Sequence, residues 1–158
     1  AALRAQRAPG DAGDRRVAVY GEDGYAALKA LLPPPPRRGL VLIDPPFEVT
    51  DEFARLARGL RQAHRRFATG VFMLWYPIKA DSEARLLHAE LANTGIRRQT
   101  AFELRLHGGD NPAQLNGCGL AIVNPPFRFD ALALPILQAL HRALGAEGGV
   151  RMVEIAGE

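Results

Sequence analysis

Apolar positions along this chain follow two rhythms that take turns. Short runs at Arg16–Tyr20 (RVAVY), Gly39–Ile43 (GLVLI), Gly70–Trp75 (GVFMLW), Arg98–Leu106, Gly119–Val123 (GLAIV) and Val150–Ile155 predict β-strands. Between most of them the spacing turns helical. A helix from Tyr25 to Leu32 is stopped by Pro33 to Pro36, which lack the N–H a helix needs. A second opens on Thr50 or Asp51 as cap and runs to Phe67, with Phe53, Leu56, Leu60 and Phe67 on one side. A third opens at Asp81 or Ser82 and closes near Asn93-Thr94-Gly95, and a fourth runs from Asp130 or Ala131 to Leu144. This alternation predicts a parallel α/β sheet with helices on both faces. The unbroken run GLVLI predicts a central strand buried on both sides.

With 47% hydrophobic and 23% charged residues over 158 positions, the chain is expected to form a single domain with one globular core, which excludes a disordered or fibrous chain. No apolar run approaches the roughly 20 residues that span a bilayer. The opening segment AALRAQRAPGDAGDRR lacks a signal peptide's apolar stretch, so a cytoplasmic protein without a membrane partner is expected. A lone Cys118 makes no internal disulfide, and His64, His88, His107 and His141 show no zinc spacing, so no metal is expected.

The net charge is +3, yet 18 of the 20 basic residues are Arg. Guanidinium groups bind phosphate bidentately, although an Ala- and Arg-rich composition also follows from a GC-rich coding sequence. Arg55, Arg58, Arg61 and Arg65 repeat at helical spacing, either as a basic rail for a polyanion or as a solvated face.

Chemistry concentrates where Leu40-Val41-Leu42-Ile43 runs into Asp44-Pro45-Pro46-Phe47, at the carboxyl end of a strand, where open α/β sheets bind ligands. Such a strand with Asp-Pro-Pro-aromatic resembles the fourth motif of adenosylmethionine-dependent amino-methyltransferases. The exocyclic nitrogen of adenine is a poor nucleophile because its lone pair is delocalised into the ring. A carboxylate and a backbone carbonyl accepting its two N–H bonds localise that pair and aim it. Prolines present such a carbonyl rigidly, and an aromatic ring stacks on the extruded base. By itself Asp-Pro-Pro also serves as a rigid turn. A second copy, Asn124-Pro125-Pro126-Phe127, follows the strand Gly119–Val123, and Asn-Pro-Pro-aromatic is a permitted form of the same motif.

Taken in order, Asp23-Gly24-Tyr25-Ala26-Ala27-Leu28, Gly39 to Glu48, Trp75-Tyr76-Pro77-Ile78-Lys79, Leu115-Asn116-Gly117-Cys118-Gly119 and the later Asn-Pro-Pro look like the RlmJ family, which methylates the N6 of an adenine in bacterial 23S ribosomal RNA. The resemblance implies a Rossmann-like methyltransferase sheet flanked by helices, S-adenosyl-L-methionine as cofactor and 23S ribosomal RNA as partner of a monomer. It implies Asp44 as proton acceptor and Pro45, Pro46 and Phe47 as the base-holding turn, with Phe standing where the family usually has Tyr. Asp23 and Gly24 resemble the pair that contacts the cofactor's adenosine, with Asp44 beside them. Trp75, Tyr76 and Lys79 end the neighbouring strand, where they meet RNA or serve as packing and loop residues. The second proline pair falls on a late strand, with Asn124 a candidate for lining the substrate cleft.

The family's Gly-rich loop and ribose-binding acid have no counterpart here, since Gly117-Cys118-Gly119 precedes a strand instead of following one. The chain is therefore expected to be the carboxyl-terminal part of the methyltransferase domain, without its first strands. In the family's sheet two strands lie between the one at Arg16–Tyr20 and the one at Gly39–Ile43. Without them the edge beside Gly39–Ile43 would be unpaired, a costly condition, so either the first strand is expected to move into that gap or a missing piece to fill it. A DNA adenine amino-methyltransferase and a noncatalytic nucleic-acid-binding remnant remain as alternatives.

Overall fold

The computed structural model describes residues 5–6, 18–47, 51–109 and 111–157. Of the first expected strand, Arg16 and Val17 lie outside these residues, and strand β2 is Val19–Tyr20, paired antiparallel with β1, Ala5–Gln6. The next elements are α1 (Gly24–Leu31), β3 (Leu40–Ile43), α2 (Glu52–Arg66), β4 (Val71–Ile78) and α3 (Asp81–Ala92). They are followed by β5 (Gln99–Arg105), β6 (Gly117–Val123), α4 (Phe129–Ala143) and β7 (Gly149–Ala156).

Strands β3 to β7 form one sheet in the order β3-β4-β6-β5-β7. The expectation of a parallel sheet needs correction. Neighbours β3 and β4 are parallel, but β6 enters in reverse between β4 and β5, and β7 lies antiparallel on the far side of β5. Strands β3, β4 and β5 thus point one way and β6 and β7 the other. The end at which β3, β4 and β5 finish is called the upper end below. Each of the crossovers through α3 and α4 steps over one strand, and helix length and apolar spacing do not encode that step.

Register assigns the faces. Phe72, Leu74, Tyr76 and Ile78 of β4 are buried and alternate with half-buried Val71, Met73, Trp75 and Pro77. The buried set meets Leu56, Leu60 and Ala63 of α2 and Ala84, Leu87 and Leu91 of α3 in the main core. Helix α4 packs on the other face against β5 and β7, with Phe129 edge-on to Phe102 at 5.5 Å. Helices do cover both faces. Beyond Leu74, β3 no longer flanks β4, so the missing N–H of Pro77 costs no ladder bond on that side.

Strand β3 is the second correction. It was expected at the centre of the sheet, buried on both sides, and it stands at the edge. Val41 and Ile43 face the core, while Leu40 and Leu42 are 59% and 62% exposed. A continuous apolar run means that both faces can be covered; it does not say that they are. Strand β2 does not move into the gap beside it, since among the described residues β2 pairs with β1.

Candidate active site

Asp44, Pro45 and Pro46 leave the upper end of β3 and line a cleft of about 370 Å³. Its other walls are Asp23, Gly24 and Tyr25 at the start of α1, Leu28, Leu42 and Ile43, and Arg55 from α2. Asp23, Gly24 and Asp44, expected to share one ligand, therefore do share one cleft. Asp44 is exposed and its carboxylate has no hydrogen bond among the described residues.

Asp23 is already employed. It caps α1 by accepting from the Ala26 N–H at 2.9 Å, and its other oxygen pairs with Arg55 at 2.6 Å. The Ala26 bond, followed by Arg55, holds its carboxyl below the usual range. Arg55 also lies over the Tyr25 ring, 4.4 Å from its centroid, and the Tyr25 hydroxyl donates to Glu52 Oε1 at 2.5 Å. Burial, with the Glu52 carboxylate beside it, pushes that phenol well above its ordinary value, so it stays a donor. At Gly59 any side chain would overlap the Tyr25 ring, so this glycine lets α1 and α2 close on each other. Tyr25 lies in the segment that begins at Asp23 and Arg55 in the arginine stripe, but neither they nor Glu52 are expected at this cleft from the sequence. The Asp23 to Arg55 pairing joins residues 32 apart and shows itself after folding.

Phe47 faces a second cleft, of about 330 Å³, with Glu52, Phe53, Pro77, Lys79 and Leu86. Its half-buried ring packs on Phe53 and Trp75, with centroids 5.9 and 6.0 Å away, and its φ of 54° lies in the left-handed region. Bulky residues adopt that conformation at a cost of about 1 to 3 kcal/mol, which the flanking rings must offset. The tetrad thus contributes to both clefts. Lys79 is exposed on the second one, and Trp75 supports Phe47 from the sheet. Glu52 is 3% exposed, and its Oε2 has no partner among the described residues.

Two expected site residues are placed elsewhere. Tyr76 is 0% exposed on the core side of β4, so it cannot meet RNA. Its hydroxyl donates to Glu103 Oε1 at 3.0 Å, which leaves His88 Nε2, 2.8 Å away, to donate to it. Arg151 closes this buried network, 2.6 Å from Glu103 Oε2 and 3.1 Å from Asp81. The glycines around Cys118 serve packing, since a side chain at Gly119 would run into the Tyr76 ring. Cys118 itself is held above its usual value by burial, which keeps it a thiol. Asn124 ends β6, at the lower end of the sheet. Its side-chain N–H groups donate to the carbonyls of Ala68 and Gly70 at 2.8 and 2.9 Å. By register it lies level with Val71, whereas Asp44 is level with Trp75. That separates them by about 13 Å along the strands and about 10 Å sideways.

The mixed α/β sheet carries a carboxylate and a proline turn at the carboxyl end of β3, the position at which open α/β sheets bind ligands. The chain belongs to the ribosomal RNA large subunit methyltransferase D, RlmJ family, whose model matches residues 9–156. It is 34% identical over 135 residues to the ribosomal RNA large subunit methyltransferase J of Haemophilus influenzae and 35% identical over the same length to that of Escherichia coli, each match covering 85% of this chain and 48% of the relative. A crystal structure of a Legionella pneumophila protein superposes with a TM-score of 0.76 at 28% identity, covering 84% of this chain and 49% of that one. The chain thus spans about half the length of these relatives. No helix among the described residues is long and apolar enough to cross a membrane.

The residues of the first cleft with the chemistry to hold the purine end of an adenosylmethionine are Leu28, Leu42, Ile43 and the Tyr25 ring, which make an apolar wall, and Asp44, which offers an unengaged carboxylate at the rim. Among the described residues no Gly-x-Gly loop joins a strand to a helix to cradle the rest.

Proposed function

We propose that this chain supplies the base-holding half of an adenosylmethionine-dependent methyltransferase that modifies the N6 of an adenine in 23S ribosomal RNA. One observation carries the reading: Asp44-Pro45-Pro46-Phe47 lines two clefts at once, so one tetrad can touch a cofactor on one side and a base on the other. The relatives' names supply the ribosomal RNA.

Adenosylmethionine, when bound, supplies an electrophilic methyl group. Every other role falls to the protein. The Asp44 carboxylate accepts one N–H bond of the adenine amine, and a proline carbonyl of the turn accepts the other, which gathers the nitrogen lone pair and orients it. Asp44 is also placed to take the proton that the amine gives up. Phe47, propped by Phe53 and Trp75, stacks on the extruded base, and exposed Lys79 at the rim meets phosphate. Asp23 and Gly24 border the adenosine end of the cofactor cleft, and the half of the relatives that this chain does not span contributes the remainder.

The test joins the chain to that half of the Escherichia coli relative and measures labelled methyl transfer to protein-free 23S ribosomal RNA, with N6-methyladenosine identified after digestion. Asp44→Ala should lower turnover on the order of a hundredfold or more, as loss of a preorganised electrostatic group does. Near-normal turnover in that variant would refute the role of Asp44. Transfer to DNA but not to RNA would move the substrate class to DNA adenine, and no transfer at all would favour a noncatalytic nucleic-acid-binding module.

A further inference from the structure

The arginine stripe of α2 divides in two once its neighbours are known. Arg55 and Arg58 are committed to carboxylates, Asp23 at 2.6 Å and Asp51 at 3.8 Å. Arg61 and Arg65 have no carboxylate partner among the described residues. They turn instead into a cleft of about 380 Å³ at the lower end of the sheet, where Arg97 and Arg98 face them from the connection between α3 and β5. His64, Thr94 and Asn124 complete the polar lining, and no carboxylate lines the cleft. Arg65 lies about 15 Å along α2 from Arg55, so this cleft is distinct from the candidate active site.

This cleft is built from pinned groups. Arg98 sits at φ 56°, a conformation that costs a non-glycine residue about 1 to 3 kcal/mol and persists where its surroundings enforce it. Its N–H donates to Gly157, its carbonyl accepts from Asn124, and its guanidinium donates to the Pro125 carbonyl at 3.2 Å. That last bond ties the cleft to the turn carrying Phe127, whose ring is 91% exposed. Guanidinium groups without a carboxylate partner among the described residues, joined to a turn that carries a bare aromatic ring, match the two halves of a nucleotide, phosphate and base.

We infer that Arg61, Arg65, Arg97 and Arg98 form a backbone-phosphate site for single-stranded RNA, with Phe127 stacking on an adjacent base, at the end of the sheet away from Asp44. The inference rests on the RNA substrate class proposed above and adds a second point of attachment. Phosphate contacts hold an RNA strand in place without reading its sequence, so this site raises affinity for any flanking strand and leaves target choice to the Asp44 end.

Fluorescence anisotropy of a labelled oligoadenylate, titrated over a range of salt concentrations, tests it on the whole chain. Arg65→Gln combined with Arg97→Gln should flatten the slope of log affinity against log salt by about 0.7 for each arginine, or about 1.4 together. The equal charge loss of Arg85→Gln with Arg142→Gln should leave the slope as it was. Phe127→Ala should weaken binding several-fold at an unchanged slope. The inference is overturned by an unaltered slope in the Arg65 and Arg97 pair, by an equal change in the control pair, or by arginine-dependent binding of inorganic phosphate with none of the oligoadenylate. Methyl transfer by the joined protein, assayed in parallel, separates the two readings. Intact transfer with an unaltered slope removes this site alone, whereas an altered slope without transfer removes the catalytic reading and keeps the site.

Discussion

The two Pro-Pro-Phe turns start from nearly the same residues and end in different trades. Both follow an apolar strand and both contain a non-glycine residue at φ 54°, Phe47 in one and Asn124 in the other. Asp44 stands exposed on a cleft, while Asn124 spends its side chain holding the carbonyls of Ala68 and Gly70. Phe47 is wedged between Phe53 and Trp75, while Phe127 stands clear of the surface. The difference comes from strand direction. Because β6 runs against β3 and β4, its carboxyl end delivers the second turn to the lower end of the sheet, among arginines. A motif's position relative to a strand says little until the direction of that strand in the sheet is known.

Pairs of substitutions should pull the turns apart. The largest contrast is between the polar residues. Asp44→Ala, expected to lower transfer if the proposed role holds, should change stability by less than about 0.5 kcal/mol, as exposed and unpartnered groups do. Asn124→Ala should do the reverse. It loses two hydrogen bonds of about 1 kcal/mol each and forces alanine into a left-handed conformation, for a cost of about 3 to 4 kcal/mol by denaturant titration at near-normal turnover. Lost turnover in a stably folded Asn124 variant would reverse the assignment of the two motifs.

A smaller contrast separates the rings. Phe47→Ala should cost about 1 to 2 kcal/mol through its lost aromatic contacts, and Phe127→Ala should stay within about 0.5 kcal/mol. Equal costs would mean that Phe127 has a packing role.

The smallest effect concerns acid. Burial holds His64, at the lower end, below its ordinary value. The unfolded chain therefore binds a proton before the folded chain does, so this group's contribution is complete above the unfolded value near 6.5 and is lost as the pH falls through the lowered folded value. Melting between pH 7 and pH 5 should show a decline that is smaller in His64→Gln than in the unaltered chain. An identical decline in both would assign it to His88, whose value burial also lowers.

Much of the upper site could be read before folding, because its chemistry is contiguous. Asp44 to Phe47 and Asp23-Gly24 are contiguous residues, and Asp23, Gly24, Asp44, Pro45 and Pro46 do come together on one cleft, with Phe47 turned to the other. The supports were not readable. Nothing local marks Glu52 as the acceptor for Tyr25 or Arg55 as the partner of Asp23, since each contact spans a turn of fold between distant segments. Tyr76 misled for the same reason. It follows Trp75 in a strand, so the two point to opposite faces, and the packing of α2 and α3 onto the side of Phe72, Leu74 and Ile78 decides which face is core.

By itself, the sequence determined where strands β3 to β7 and the four helices lie, though not β1, and where the Asp44 tetrad sits on its strand, because periodicity, proline stops and caps act over a few neighbouring residues. Tertiary structure alone decided that β3 is an edge with Leu40 and Leu42 bare, that β6 runs backwards between β4 and β5, and that the arginine stripe splits between carboxylates and an open cleft. Those outcomes depend on which strand pairs with which and in what direction. Pairing energy arises between segments far apart in the chain, and an apolar run serves equally well in either orientation and at either position in a sheet.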